Sequence, residues 1–203
     1  MPKLSQEMKD LLTEEMRKRI LTAGEKILLR DGLDEFTMEK LAHEAGTAAG
    51  TIYNYFDNKE TIIDAIMENS FQRLLQTTAG IAAKPQPAES MLRELAEFML
   101  EDFKRVRRLH EAIMQRHPPI SREKMRTGHR KLIDGVSQII RQGRNNGEFN
   151  TDDMVLAASA FLGIIREMQF DPCGLFEHKT SRELADAAVA ICRSGILGRG
   201  REK

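Results

Sequence analysis

Residues 37–62 read TMEKLAHEAGTAAGTIYNYFDNKETI, and this string carries most of what the sequence reveals about the protein. Thr37 is a favourable helix N-cap residue, and Glu39 suits the first turn of the helix that follows. Gly46 is suited to a left-handed helix end, and Thr47 can cap the next helix at once. Two short helices joined by a tight turn that contains glycine predict a helix-turn-helix motif.

The second of these helices has an apolar side and a slim polar side. Ile52 and Phe56 are spaced to point inward. The residues expected to point outward are small or polar: Ala48, Ala49, Thr51 and Asn54. A short helix with a narrow leading edge can enter a DNA major groove, which is about 12 Å wide. The pattern therefore predicts DNA binding.

Outside this string, apolar residues recur at helical spacing along nearly the whole chain, and we predict an all-α fold of about nine helices. The helix before the motif carries Met16, Ile20 and Ile27 on one face. We expect a long helix from about Met91 that can extend through Phe103, and a separate short helix that ends at His117. Later signals include Ser121 as a cap, Thr151 with Asp152 and Asp153 at a helix start, and a capping box formed by Thr180 and Glu183.

Composition restricts the class of protein. The chain has 203 residues, 41% apolar, with 31 basic and 31 acidic side chains. Residues 1–60 hold nine Lys and Arg against twelve Asp and Glu, so phosphate contacts there depend on a few local cations. Arg17, Lys18 and Arg19 add positive charge in the first helix.

No apolar run is long enough for a membrane span, and two cysteines are too few for a disulfide framework, so we expect a cytoplasmic protein.

The string from 37 to 62 resembles the signature of the tetracycline-repressor (TetR) family. The most specific part is G50-x-I-Y-x-Y-F-x-x-K-E60, and the later N146-G-E-F149 also recurs in this family. The resemblance implies a DNA-binding domain at 1–60 and a helical effector-binding and dimerisation domain at 61–203. The DNA-binding residues that it implies are Thr37, Thr47, Ala48, Ala49, Thr51, Tyr53, Asn54, Tyr55 and Lys59.

The resemblance also implies a role for most of these residues. Thr37 would contact a phosphate, and the pair Ala48 and Ala49 would face the bases or the groove floor. The residues that would hold the DNA backbone are Thr51, Tyr53, Tyr55 and Lys59. Asn54 would reach a base edge or a phosphate. Because alanine offers no hydrogen-bond donor from its side chain, we expect sequence readout to depend on Asn54 and on DNA shape.

The second half is expected to bind an apolar or amphipathic effector. The candidate pocket residues are Phe98, Met99, Phe103, Met114, Phe161, Ile165 and Met168. Residues 102–145 hold twelve basic and four acidic side chains. Solvated helix faces explain this charge most simply, and an anionic effector or added attraction for DNA is the alternative.

Small residues cluster in the last two helices: Ala157, Ala158, Ala160, Gly163, Ala185, Ala187, Ala188 and Ala190. In the family, these helices form a homodimer interface; tight packing within one subunit is the other interpretation, and both can hold. Cys173 and Cys192 are interpreted as structural, with a redox pair as the alternative.

The favoured function is a repressor that a small molecule releases from a palindromic operator. An activator or a corepressor-dependent regulator remains an alternative, as do a nucleoid-type protein and a helical enzyme or carrier. The five histidines lack metal-site spacing, and we find no nucleophile motif or phosphate loop. We therefore expect no enzyme activity, metal or cofactor.

Overall fold

The computed structural model describes the backbone of residues 5–114 and 122–195 and the side chains of residues 5–107 and 126–195. These parts of the chain form eight α-helices and contain no strand, which confirms the predicted fold class. The helices are α1 (Gln6–Arg30), α2 (Met38–Ala45), α3 (Ala49–Tyr53), α4 (Lys59–Ala82), α5 (Ala88–Met114), α6 (Arg122–Asn145), α7 (Met154–Phe170) and α8 (Ser181–Gly195). No helix in the described ranges is long and apolar enough to cross a membrane.

The chain divides into two compact units. Among the described residues, the first unit contains 5–70 and 106–114, and the second contains 71–105 and 122–195. Both α4 and α5 contribute residues to each unit. The domain boundary that we predicted between residues 60 and 61 stays a prediction.

The core of the first unit is built from α1, α2, α3 and the start of α4. Its apolar stripe on α1 includes Ile20 and Ile27, both fully buried as predicted, and Met16 packs against it half-buried. Phe36 and Leu41 flank the start of α2 and are both buried, as expected for a hydrophobic staple. The short helices therefore gain their stability by burying one apolar side each.

The described residues form eight helices where we predicted about nine, and α5 accounts for the difference. We predicted a long helix and a separate short one that ends at His117. The structure has a single helix from Ala88 to Met114, so the prediction of two helices was wrong. No glycine or proline lies between these two residues, and nothing in the sequence interrupts the helical hydrogen bonds. Ser121, predicted as a cap, lies outside the described residues.

The segment Asn146–Phe149 joins α6 to the rest of the second unit. The amide nitrogen of Glu148 donates to the carbonyl oxygen of Gly143 at 2.8 Å and so closes the end of α6. The carboxylate of Glu148 accepts from the amide of Glu89 at 3.2 Å, near the start of α5. Phe149 is buried against the core. The segment thus ties the end of α6 to the first turn of α5.

Later helix starts follow the predicted caps. Asp153 is the N-cap of α7, and its carboxylate accepts from the amide of Leu156 at 2.9 Å. At α8, the amide of Thr180 donates to Glu183 at 2.8 Å, and the amide of Glu183 donates to the Thr180 hydroxyl at 3.2 Å. These reciprocal bonds confirm the predicted capping box.

Candidate nucleic-acid interface

Helix α2 and the turn after it form as the sequence predicts. The Thr37 hydroxyl caps α2 by accepting from the amide of Lys40 at 3.2 Å. Gly46 ends the helix in the left-handed conformation, with φ of 61°. The amide of Thr47 then donates to the carbonyl of Ala42 at 2.9 Å, which satisfies a carbonyl in the last turn of α2.

Helix α3 begins one residue later than we predicted. Its N-cap residue is Ala48, not Thr47, and no side chain caps its first turn. Thr47 still belongs to the turn, because its amide completes the hydrogen bonding at the end of α2. The expected Thr47 cap was therefore wrong, and α3 is a helix of only five residues.

The two sides of α3 differ sharply in exposure. Ile52 is fully buried and Phe56 is 3% exposed, as the spacing predicted. The exposed residues are Ala48, Gly50, Tyr53 and Asn54. Tyr53 is 54% exposed, so much of its side chain is accessible at the surface. The half-buried candidates are Thr47, Ala49, Thr51 and Tyr55.

Lys59 opens α4 next to this surface and already has contacts within the first unit. Its ammonium donates to the carbonyl of Leu33 at 3.0 Å and lies 5.4 Å from the centroid of the Phe36 ring. The amide oxygen of Asn58 caps α4 by accepting from the amide of Thr61 at 2.9 Å. Lys59 therefore helps to fix the start of α4, whatever its role toward DNA.

Two arginines of α1 have partners that sequence analysis did not foresee. We expected Arg17 and Arg19 to add general positive charge. Instead, the Arg17 guanidinium donates to the carbonyl of Tyr55, and the Arg19 guanidinium donates to the carbonyls of Ala45 and Gly46. No sequence signal links these positions, because the contacts join residues 26 to 38 positions apart.

The candidate effector residues lie mostly in the core of the second unit. Met99, Phe161 and Ile165 belong to one buried cluster, and Phe98 and Met168 pack against it half-buried. Phe103 is buried, with its ring centroid 5.1 Å from that of Phe170. The side chain of Met114 lies outside the described residues. Five of the candidates thus share one hydrophobic cluster, and their contacts with a ligand stay a prediction.

The described basic side chains of residues 102–145 are exposed, whereas the two cysteines differ in exposure. The exposed cations include Lys104 on α5 and Arg126, Arg130 and Lys131 on α6.

Cys173 is exposed and Cys192 is buried, both as free thiols. Burial raises the pKa of the Cys192 thiol to about 11, so this thiol is held in its neutral form at physiological pH. Among the described residues, no three His, Cys, Asp or Glu side chains are grouped to hold a metal ion.

A helix-turn-helix that exposes a narrow edge of small and polar residues is typical of a DNA-binding transcriptional regulator. Comparison with known families agrees: residues 20–66 match the family model described as "Bacterial regulatory proteins, tetR family". Residues 88–192, half of the chain, match the model described as "AefR-like transcriptional repressor, C-terminal domain". The chain belongs to the TetR family of transcriptional regulators.

Individual relatives are distant. An uncharacterised helix-turn-helix regulator of Haemophilus influenzae is 36% identical over 63 residues, which cover 31% of this chain and 34% of that protein. The chain therefore matches only about a third of that relative's length. YhgD of Bacillus subtilis is 25% identical over 159 residues, 76% of this chain and 83% of YhgD. The solved complex of SmeT of Stenotrophomonas maltophilia with triclosan has a similar fold, with a TM-score of 0.64 and 19% identity over 92% of this chain and 96% of that one.

Proposed function

We propose that this chain is a homodimeric repressor whose two α3 helices bind a palindromic operator and whose second unit binds a small molecule that releases it. The observation that carries the proposal is the division of α3. Ile52 anchors the helix in the core, while the exposed Gly50, Tyr53 and Asn54 form a narrow edge. A helix held this way can enter a major groove without losing its own packing.

The side chains around α3 have suitable chemistry for DNA. The exposed hydroxyl of Tyr53 and the amide of Asn54 are able to donate hydrogen bonds, to phosphates and to base edges respectively. Ala48 and Ala49 add only small apolar contacts, for example with a thymine methyl group. Thr37, Thr47, Thr51, Tyr55 and Lys59 complete the proposed contacts with the sugar-phosphate backbone.

The outward faces of α7 and α8 support the proposed homodimer. On α7, Val155 and Leu156 are 56% and 63% exposed, and Ile191 on α8 is 54% exposed. Beside them, Ala160, Gly163 and Ala187 are half-buried and Ala190 is exposed. The remaining small residues, Ala157, Ala158, Ala185 and Ala188, are buried within the subunit. The buried small residues fit packing within one subunit, and the more exposed ones are available for the proposed contact with a second copy.

In the proposed mechanism, a dimer places two α3 helices about one turn of DNA apart, roughly 34–36 Å. A second state of the dimer would hold its two α3 helices at another spacing. An effector that binds this state more tightly lowers the affinity for the operator, and the size of the effect is the difference between the effector's binding free energies for the two states. We propose an apolar or amphipathic effector among Phe98, Met99, Phe103, Met114, Phe161, Ile165 and Met168. The triclosan complex of SmeT supports small-molecule binding by this fold. Such a regulator acts in the cytoplasm.

The proposal is tested by selecting bound sites from random DNA with the full chain. We expect an enriched palindrome with half-sites one helical turn apart. In a repeat with Asn54→Ala, we expect relaxed preference at one position of each half-site, because the amide reads a base there. Selection that yields no preferred sequence would contradict specific operator binding. Compounds that release the enriched duplex would then identify the effector class.

A further inference from the structure

The short length of α3 raises the question of what holds it in place. The helix has five residues and no side-chain cap at its first turn. A helix of this length is unstable on its own, because nucleation costs more than its few hydrogen bonds return. Burial of Ile52 anchors one side of α3, and Phe56 is buried just after the helix. Further contacts hold the turn before α3 and the chain after it.

One such contact comes from Arg19 of α1. Its Nε donates to the carbonyl of Ala45 at 2.6 Å, and its Nη2 donates to the carbonyl of Gly46 at 2.7 Å. These carbonyls end α2, where backbone oxygens lack helical partners and a positive charge is favourable. A Cβ atom on Gly46 would lie 2.8 Å from Nη2, so the glycine also leaves room for the guanidinium.

The second contact comes from Arg17, two residues earlier on α1. Its Nη1 donates to the carbonyl of Tyr55 at 3.0 Å, just after the end of α3. The guanidinium carbon also lies 4.3 Å from the centroid of the Phe56 ring, within the range of a cation–π contact. Among the side chains that the structure describes, neither Arg17 nor Arg19 forms an ion pair, so backbone carbonyls are their main polar partners.

We propose that Arg17 and Arg19 are positioning residues that set the orientation of α3 for sequence-specific DNA binding. Arg19 fixes the turn before α3 and Arg17 fixes the chain after it. Through these two residues, α1 holds both ends of α3. This inference rests on the proposed role of α3 in DNA binding.

The test separates positioning from direct contact with phosphates. Arg17→Lys and Arg19→Lys keep the charge but lose the planar guanidinium. An ammonium at position 19 cannot span the carbonyls of Ala45 and Gly46 with fixed donors, and one at position 17 cannot bond the Tyr55 carbonyl and also stack a planar group on the Phe56 ring. Lys18→Gln is the matched control, because Lys18 lies between them, is exposed, and has no carbonyl contact in the structure. Binding of the full chain is measured on a labelled duplex enriched by selection and on a random duplex of equal length, over a range of salt concentrations.

For each Arg→Lys variant we expect affinity for the enriched duplex to fall about tenfold or more, since hydrogen bonds from a charged group are lost. Affinity for the random duplex should change little, so the ratio of specific to non-specific binding falls while the salt dependence stays unchanged. Lys18→Gln should leave that ratio at the wild-type value. A general loss of folded protein would instead lower binding to both duplexes alike.

Amide hydrogen exchange supplies a second readout that does not require DNA. We expect faster exchange in peptides that cover residues 45–56 of each Arg→Lys variant, and unchanged exchange in peptides from α7 and α8. Wild-type exchange in residues 45–56 would overturn the proposal, as would an unchanged binding ratio. The proposal would also be overturned by an Arg→Gln variant that binds both duplexes equally more weakly and lowers the salt slope by about one unit, because that result indicates a phosphate contact. If the wild-type chain fails to prefer the enriched duplex, the proposed DNA reading by α3 fails, and the exchange experiment still tests the arginine contacts.

Discussion

The ring of Phe149 lies directly against the backbone of Gly143, so that a Cβ atom on Gly143 would be 2.4 Å from Cδ2 of Phe149. The same Cβ atom would lie 2.7 Å from the Cβ of Ala88. Phe149 and Ala88 are both buried, so neither has space to move away. The contact brings the end of α6, the segment after it and the start of α5 into one tight junction.

Gly143→Ala should therefore destabilise the protein, by about 1–3 kcal/mol, as overpacking of a filled core does. The measurement is urea unfolding followed by circular dichroism. Gly80→Ala is the control, because Gly80 lies in α4 and a Cβ atom there meets nothing within 4 Å. The control should be neutral or stabilised by up to about 1 kcal/mol, since alanine favours a helix over glycine. Equal stability of the two variants would contradict the tight junction.

The contrast between Gly46 and Gly143 illustrates what sequence analysis can reach. Gly46 follows an eight-residue helix that begins at a threonine cap, and such local signals predict a turn from neighbouring residues alone. Gly143 is required by Phe149 and by Ala88, which lies 55 positions earlier in the sequence. Contacts of this kind follow from tertiary packing and leave no periodic pattern.

The same distinction applies to the candidate DNA-binding site. The inward direction of Ile52 and Phe56 followed from helical spacing, and the exposure of Tyr53 fits the proposed surface. The role of Arg17 and Arg19 did not follow, because a charged residue in a long helix usually faces water. The Thr47 cap was wrong because the amide of Thr51 donates to the carbonyl of Ala48, which makes Ala48 and not Thr47 the N-cap residue of α3.

Stability should depend on pH through Glu183. Its hydrogen bonds from the amide and then the hydroxyl of Thr180 lower the pKa of the Glu183 carboxyl below its ordinary value of 4.5. A lowered folded-state pKa means that this stabilisation is present above pH 4.5 and is lost as the pH falls through the folded-state value. Glu183→Gln should have a lower melting temperature than wild type at pH 7.

This difference should shrink as the pH is lowered below 4.5, because a protonated glutamate and a glutamine are both neutral. Thermal unfolding of both proteins across that pH range measures it. Glu177→Gln, at an exposed glutamate in the preceding loop, is the control for loss of one negative charge. A difference that is constant with pH would exclude the charged capping box as its source.

The dimer proposal predicts that a larger side chain at Gly163 separates the subunits. A Cβ atom on Gly163 meets nothing within 4 Å in the isolated chain, so Gly163→Leu should fold normally. On the outward face of α7, next to Leu156 and Ala160, the added bulk should block close approach of a second copy. Sedimentation or light scattering should show a larger fraction of monomer than for wild type.

Gly80→Leu serves as the comparison, since Gly80 is equally unhindered but lies on α4. We expect it to remain dimeric, with helix content equal to that of Gly163→Leu. A Gly163→Leu variant that associates as strongly as wild type would remove α7 from the proposed interface.

The central claim is that the edge of α3 enters the DNA groove, and Gly50 offers its most direct test. Gly50 is exposed, and a Cβ atom there meets nothing within 4 Å, so Gly50→Leu should retain or raise the melting temperature. The measurement is affinity for the enriched duplex, with Gly80→Leu as the control. Our account predicts a loss of about tenfold or more for Gly50→Leu alone, because a leucine side chain would keep the helix out of the groove. Wild-type affinity of Gly50→Leu would contradict it.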